Sequence, residues 1–172
     1  MDWIPTKATA KGRLVLAALE AFGEHGYEAV KVGELAAAAE TTTGPLYHHF
    51  GSKAGLYAFV REDVDRRVAE RMEGALAAAL DFETDAVGAA LLVAYDYARR
   101  AGFMRMLSEP REPDPIAATL NEAVGAPLGA MLAAAWRAAL AAGGDPEEAR
   151  AALRALRPAG ALHAPPRSPA RT

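Results

Sequence analysis

Thr41-Thr42-Thr43-Gly44-Pro45-Leu46-Tyr47-His48-His49-Phe50-Gly51-Ser52-Lys53-Ala54-Gly55-Leu56 decides how this chain is read. Thr42 is a good N-cap, and Pro45 falls in a first helical turn, where its missing N–H costs nothing. Phe50-Gly51 stops the helix after about two turns, and Ser52 is placed to cap a second one. A helix this short does not hold itself together in water. It must dock on neighbours, through Leu46 and Phe50. That leaves Thr42, Thr43, Gly44, Tyr47 and His48 outward, small and polar near the N-terminus with an aromatic behind. Such a face suits a helix whose first residues reach base edges in the major groove of DNA.

Working outward, Leu14, Val15, Ala18, Leu19 and Phe22 repeat at helical spacing over Lys11–Phe22. Gly26 follows as a left-handed stop, and Tyr27 can fold back on the helix it ends. Val32, Leu35, Ala36 and Ala39 mark a second short helix, joined to the third by a tight turn at Glu40-Thr41. Three helices within some 45 residues, the last two closely linked, make a helix-turn-helix unit. The ordered run Arg13-Leu14-Val15, Ala17-Ala18, Phe22, Glu24-His25-Gly26-Tyr27, Leu35-Ala36, then Gly44, Leu46-Tyr47-His48-His49-Phe50 and Lys53 resembles the N-terminal domain of TetR-family transcriptional regulators. The resemblance covers roughly residues 10–60. It departs from the family pattern at Glu40, where glycine is usual, and at Val30-Lys31, where a hydroxyl cap is usual.

Composition agrees with an all-α chain. Of 172 residues 52% are hydrophobic, alanine dominates, and helix formers outnumber β-branched residues. With no cysteine there are no disulfides and no thiolate metal sites. The N-terminus lacks the continuous apolar core of a signal peptide, and no apolar run is long enough to span a bilayer. A cytoplasmic protein with no membrane partner is expected. Charge weighs against DNA, since residues 1–60 hold five basic side chains and six acidic ones, a net of −1. Non-specific affinity for DNA comes mainly from Lys and Arg on phosphates. The cations sit at helix starts, however: Lys7 and Lys11 before the first, Lys31 at the second, Lys53 at the fourth. DNA binding with a shallow salt dependence is therefore expected.

A long fourth helix runs from Ser52 to about Ala79 through Leu56, Phe59, Val60, Val64, Val68 and Met72. Its arginines, Arg61, Arg66, Arg67 and Arg71, alternate with acids and read as a solvated face. Further helices follow from Asp85 to Arg100, from Asp114-Pro115 to a break at Gly125–Pro127, along Leu128, Leu132, Trp136 and Leu140, and from Asp145-Pro146. Phe103–Leu107 is a short apolar segment, and Pro110, Pro113 and Pro115 force a loop. Four of the eleven prolines fall at or after Pro158, so residues 164–172 read as a disordered tail. The division expected is a DNA-binding head over 1–62, a helical body over 63–163 and that tail. Family members usually end in two helices that pair with a second subunit; here only one is readable. Leu128, Leu132, Trp136, Leu140, Leu153 and Leu156 form more apolar surface than one helix pair hides, and a homodimer is the expected cover.

Thr42, Thr43, Gly44, Tyr47, His48, Lys53 and Lys31 are thus the candidate contacts to an operator in double-stranded DNA. For the body the resemblance implies an inducer pocket. Phe82, Tyr95, Tyr97, Phe103, Met104, Met106, Met131 and Trp136 concentrate aromatic and thioether surface among alanines. Tyr95, Phe103, Met104, Met131 and Trp136 are the candidate contacts to a small hydrophobic effector, with Tyr95 and Trp136 pairing an apolar body with a polar tip. Adjacent His48 and His49 point some 100° apart on a helix and make a poor metal site. No cofactor is expected, and neither a nucleophile beside a base nor a phosphate-binding glycine loop is present, so the chain does not read as an enzyme. The expected function is a ligand-responsive regulator, a repressor released from a palindromic operator by its effector. The alternative is a helix-turn-helix adaptor that binds proteins and little DNA.

Overall fold

A computed structural model describes residues 6–80 and 85–156 of the chain. Nine α-helices run through them: α1 (Ala10–Ala29), α2 (Val32–Ala38), α3 (Gly44–Phe50), α4 (Lys53–Leu80), α5 (Ala86–Arg100), α6 (Met104–Ser108), α7 (Pro115–Val124), α8 (Leu128–Ala141) and α9 (Pro146–Ala155). The family-implied second C-terminal helix, the 164–172 tail and Phe82 lie outside the described residues.

The caps sit where polar side chains precede apolar periods. Thr9 accepts from Gly12 N, Ser52 from Gly55 N, Asp85 from Gly88 N, Asp114 from Ile116 and Ala117 N, and Asp145 from Glu147 N. Each satisfies a donor that the helix itself leaves free. α3 is the exception. It begins one residue later than Thr42 predicts: Thr43 is the N-cap, already in right-handed helical backbone, and its side chain makes no capping bond. Gly26 has φ 76° and breaks α1 before its last turn, as a stop residue should. Glu40 sits at φ 49°, the left-handed turn position where glycine would be unstrained.

In the head, Leu14, Ala18, Phe22, Leu35 and Leu46 are buried together with Leu56 and Val60 of α4. Phe22 meets Tyr57 edge to face at 5.0 Å, and Tyr27 lies 5.0 Å from the same ring. This aromatic cluster fastens α1 to the start of α4. In the body, α4 packs along α5 and α7 lies on α8. The Leu132, Trp136 and Leu140 side chains of α8 and Leu153 of α9 are buried. The apolar surplus expected from these leucines is therefore hidden within the chain. Leu128 stands apart at the start of the stripe, because residues four apart drift about 40° per step around a helix; it is exposed, as is Met131.

Two elements differ from the sequence reading. Phe103–Leu107 is not merely an apolar segment, since α6 begins at Met104. Arg61 is not part of a solvated face: it is 3% exposed and its guanidinium reaches Asp65 Oδ2 at 2.9 Å, Met106 O at 2.7 Å and Glu109 O at 2.8 Å. Arg137 of α8 approaches the same carbonyl end, donating to Leu107 O at 2.6 Å and to Asp114 Oδ1 at 2.7 Å. Two buried arginines thus hold the C-terminal end of α6, where helix carbonyls lack partners and the dipole favours cations. α6 also lies on α1, and at Gly23 a Cβ would stand 2.6 Å from Gly102 O. Head and body meet there without room for a side chain. No helix among the described residues is long and apolar enough to cross a membrane.

Candidate nucleic-acid interface

Leu46 is fully buried and Phe50 half-buried, so α3 is docked by the two residues expected to dock it. Phe50 packs on Phe59 of α4 at 5.4 Å, with the Lys11 ammonium over both rings. The opposite side carries Thr42, Thr43, Gly44, Tyr47, His48 and His49, all exposed, Tyr47 at 53%. His48 and His49 touch edge to face at 4.8 Å. A Cβ built on Gly44 would meet only Thr42 Oγ1, at 3.8 Å, so bare backbone is presented there. Five of the seven candidate DNA contacts are therefore exposed on α3 and the turn before it.

The two lysines behave differently. Lys53 turns inward, with Nζ donating to Tyr27 O at 2.9 Å and Val30 O at 3.0 Å and lying 4.1 Å from the Tyr27 ring centroid. It ties the start of α4 to the end of α1 and keeps one N–H for another partner. Lys31 is exposed at the start of α2, with its ammonium 3.8 Å from Glu34. Arg13 is also engaged internally, bonding Ala39 O at 2.8 Å and Lys7 O at 3.3 Å. Sequence spacing shows which cations lie near the head's edge but not which carbonyls they meet.

The five candidate effector contacts are not brought together. Tyr95 and Trp136 are buried in the core of α5 and α8, while Met131 is 64% exposed. Phe103 borders a groove of about 440 Å³ with Leu16, Leu19, Glu20 and Glu24 of α1, which none of the other four lines. Met104 is half-buried at the start of α6. In an alanine-built bundle the few large side chains are needed to fill the centre, which is where Tyr95 and Trp136 go. Trp136 Nε1 has no hydrogen-bond partner among the described residues.

A docked two-turn helix behind a tight turn, offering a polar and aromatic face to solvent, is a helix-turn-helix arrangement. Residues 14–60 match the family described as bacterial regulatory proteins, tetR family, and the head of this chain is a TetR-family domain. The chain is 43% identical over 72 residues, 42% of its length and 32% of the relative's, to the HTH-type transcriptional regulatory protein RaaS of Mycobacterium tuberculosis. It is 34% identical over 102 residues, 51% of its length and 47% of the relative's, to the HTH-type transcriptional activator FasR of Mycolicibacterium smegmatis. To the HTH-type transcriptional repressor AcnR of Corynebacterium glutamicum it is 46% identical over 46 residues, 26% of its length and 24% of the relative's. These matches span from about a quarter to about half of the relatives' own length.

Proposed function

We propose that this chain is a ligand-responsive transcriptional regulator, a cytoplasmic repressor that binds a palindromic operator as a homodimer and leaves it when a small hydrophobic effector binds the body. The observation that carries this reading is the exposed face of α3, where Thr42, Thr43, Gly44, Tyr47 and His48 stand clear of the head's own packing. Repression follows the relative AcnR, named a repressor, although FasR is named an activator. Occupancy of DNA alone suffices to repress, whereas activation needs a further partner surface.

Dimerisation is supported by Leu128 and Met131, exposed on α8, and by an alanine-lined groove of about 430 Å³ between α8 and α9. A two-fold axis uses the same patch on both subunits and sets two heads about 34–36 Å apart, one duplex turn. Of the five candidate effector contacts, the buried pair Tyr95 and Trp136 is where the effector is assigned, between α5 and α8 of the body. Because Tyr95 and Trp136 are enclosed, a ligand that reaches them must part α5 from α8. Such a ligand selects an open body and moves the head spacing only by its differential affinity for the two states. The unpartnered Trp136 indole N–H would anchor a polar group on it.

Selection from a randomised duplex library tests the reading. Enrichment of a palindrome is expected, and Tyr47→Ala should weaken binding to it about tenfold or more while helix content by circular dichroism stays unchanged. A library with no enriched sequence would favour the adaptor alternative.

A further inference from the structure

The face of α3 lacks every side chain that usually reads a base by a two-pronged bond. Residues 41–50 contain no Arg, Lys, Asn or Gln, and those residues supply the paired contacts to guanine O6 and N7 or to adenine N6 and N7. The head's described cations, Lys7, Lys11, Arg13, Lys31 and Lys53, all stand outside that stretch. Lys53 and Arg13 are bound to backbone carbonyls, Lys11 lies over Phe50 and Phe59, and Lys31 sits beside Glu34 on α2. What the face does offer is methyl groups on exposed Thr42 and Thr43, the flank of Tyr47, and open backbone at Gly44 that allows a close approach. His48 and His49 each supply at most single hydrogen bonds and lie against one another.

Resting on the DNA-binding reading above, we infer that this head recognises its operator chiefly through the 5-methyl groups of thymine, packed on Thr42, Thr43 and Gly44, so that its half-sites are defined by thymine positions. The thymine methyl is the one apolar feature of the major-groove floor, and threonine methyls are suited to it. Each contact is worth about as much as one buried methylene, about fourfold in affinity.

The experiment uses the full chain and the duplex enriched from a random library. Replacing thymine by uracil, one position at a time, removes the methyl and leaves every hydrogen-bonding group in place. At two or more positions per half-site the substitution should weaken binding about fourfold. In a Thr42→Ser, Thr43→Ser variant, which keeps the hydroxyls, the same substitutions should cost less than twofold. Restoring a methyl as 5-methylcytosine opposite guanine should recover part of the loss. An enriched duplex indifferent to uracil at every position would overturn the inference alone. So would one insensitive to uracil but weakened by 7-deazapurines, which would assign the reading to His48 and His49. A library yielding no enriched duplex would overturn the DNA-binding reading and this inference with it.

Discussion

Lys53 holds two part-buried carbonyls, Tyr27 O and Val30 O, at the end of α1. Lys53→Met keeps the apolar stem and removes both charge-assisted bonds, so urea unfolding should show a loss of about 1–3 kcal/mol. With the ammonium turned inward, the salt dependence of DNA binding should scarcely change. A slope lowered by about one unit with stability intact would place the ammonium on a phosphate instead. Glu40 carries the opposite kind of effect. Its φ of 49° is strained for any residue with a Cβ, and Glu40→Gly should raise stability by roughly 0.5–1 kcal/mol in the same measurement, after the greater unfolded-state freedom of glycine is counted. Tyr57 donates to Glu109 Oε2 at 2.9 Å. Burial, with the Glu109 carboxylate adding to it, holds its hydroxyl above the ordinary tyrosine value. The folded chain therefore keeps this proton more tightly than the unfolded chain. The contribution is complete below about pH 10 and is lost as pH rises through the raised value. Tyr57→Phe should flatten that alkaline loss in a pH series of unfolding midpoints.

Among the elements, α6 links α1, α4 and α8. Five residues long, it rests on α1, and its end is held by Arg61 from α4 and Arg137 from α8. Asp65 is 1% exposed and is paired with Arg61 at 2.9 Å and with Arg111 at 3.1 Å. Arg61→Ala would leave a buried carboxylate with one partner, strip Met106 O of its donor and leave Glu109 O only the longer bond from Arg137 at 3.4 Å. A loss of about 3–5 kcal/mol is expected, read by thermal and urea unfolding. Arg66→Ala, with a half-exposed side chain, should change stability by less than about 1 kcal/mol. The sequence cannot tell these two arginines apart, because both lie among alternating acids on α4. What separates them is the carbonyl end of α6, some 45 residues onward in the chain. α6 itself was legible only as an apolar segment, since five residues do not show a helical period. The capped helices were legible for the opposite reason. Ser52, Asp85, Asp114 and Asp145 stand at the ends of long periodic runs, and each side chain bonds the backbone two or three residues on.

For the whole molecule, the head was readable because an exposed polar face on a helix too short to stand alone leaves a mark in sixteen residues. The body was not, since aromatic side chains among alanines fill a core and line a pocket with the same composition. Tyr95 and Trp136 fill the core, and Met131 stands outside it. If Met131 and Leu128 pair two copies, Met131→Glu should shift the chain from dimer to monomer by sedimentation at micromolar concentration without altering its helix content, because a charge would face its own symmetry mate. The central claim is that the outward face of α3 is the surface that meets DNA. Hydrogen–deuterium exchange of the full chain, with and without its enriched duplex, tests this most directly. Slowed exchange is predicted across residues 41–50, greatest from Thr42 to His48, with the buried centre of the body unchanged. Protection confined to α7–α9, with residues 41–50 exchanging as in the free protein, would contradict the account.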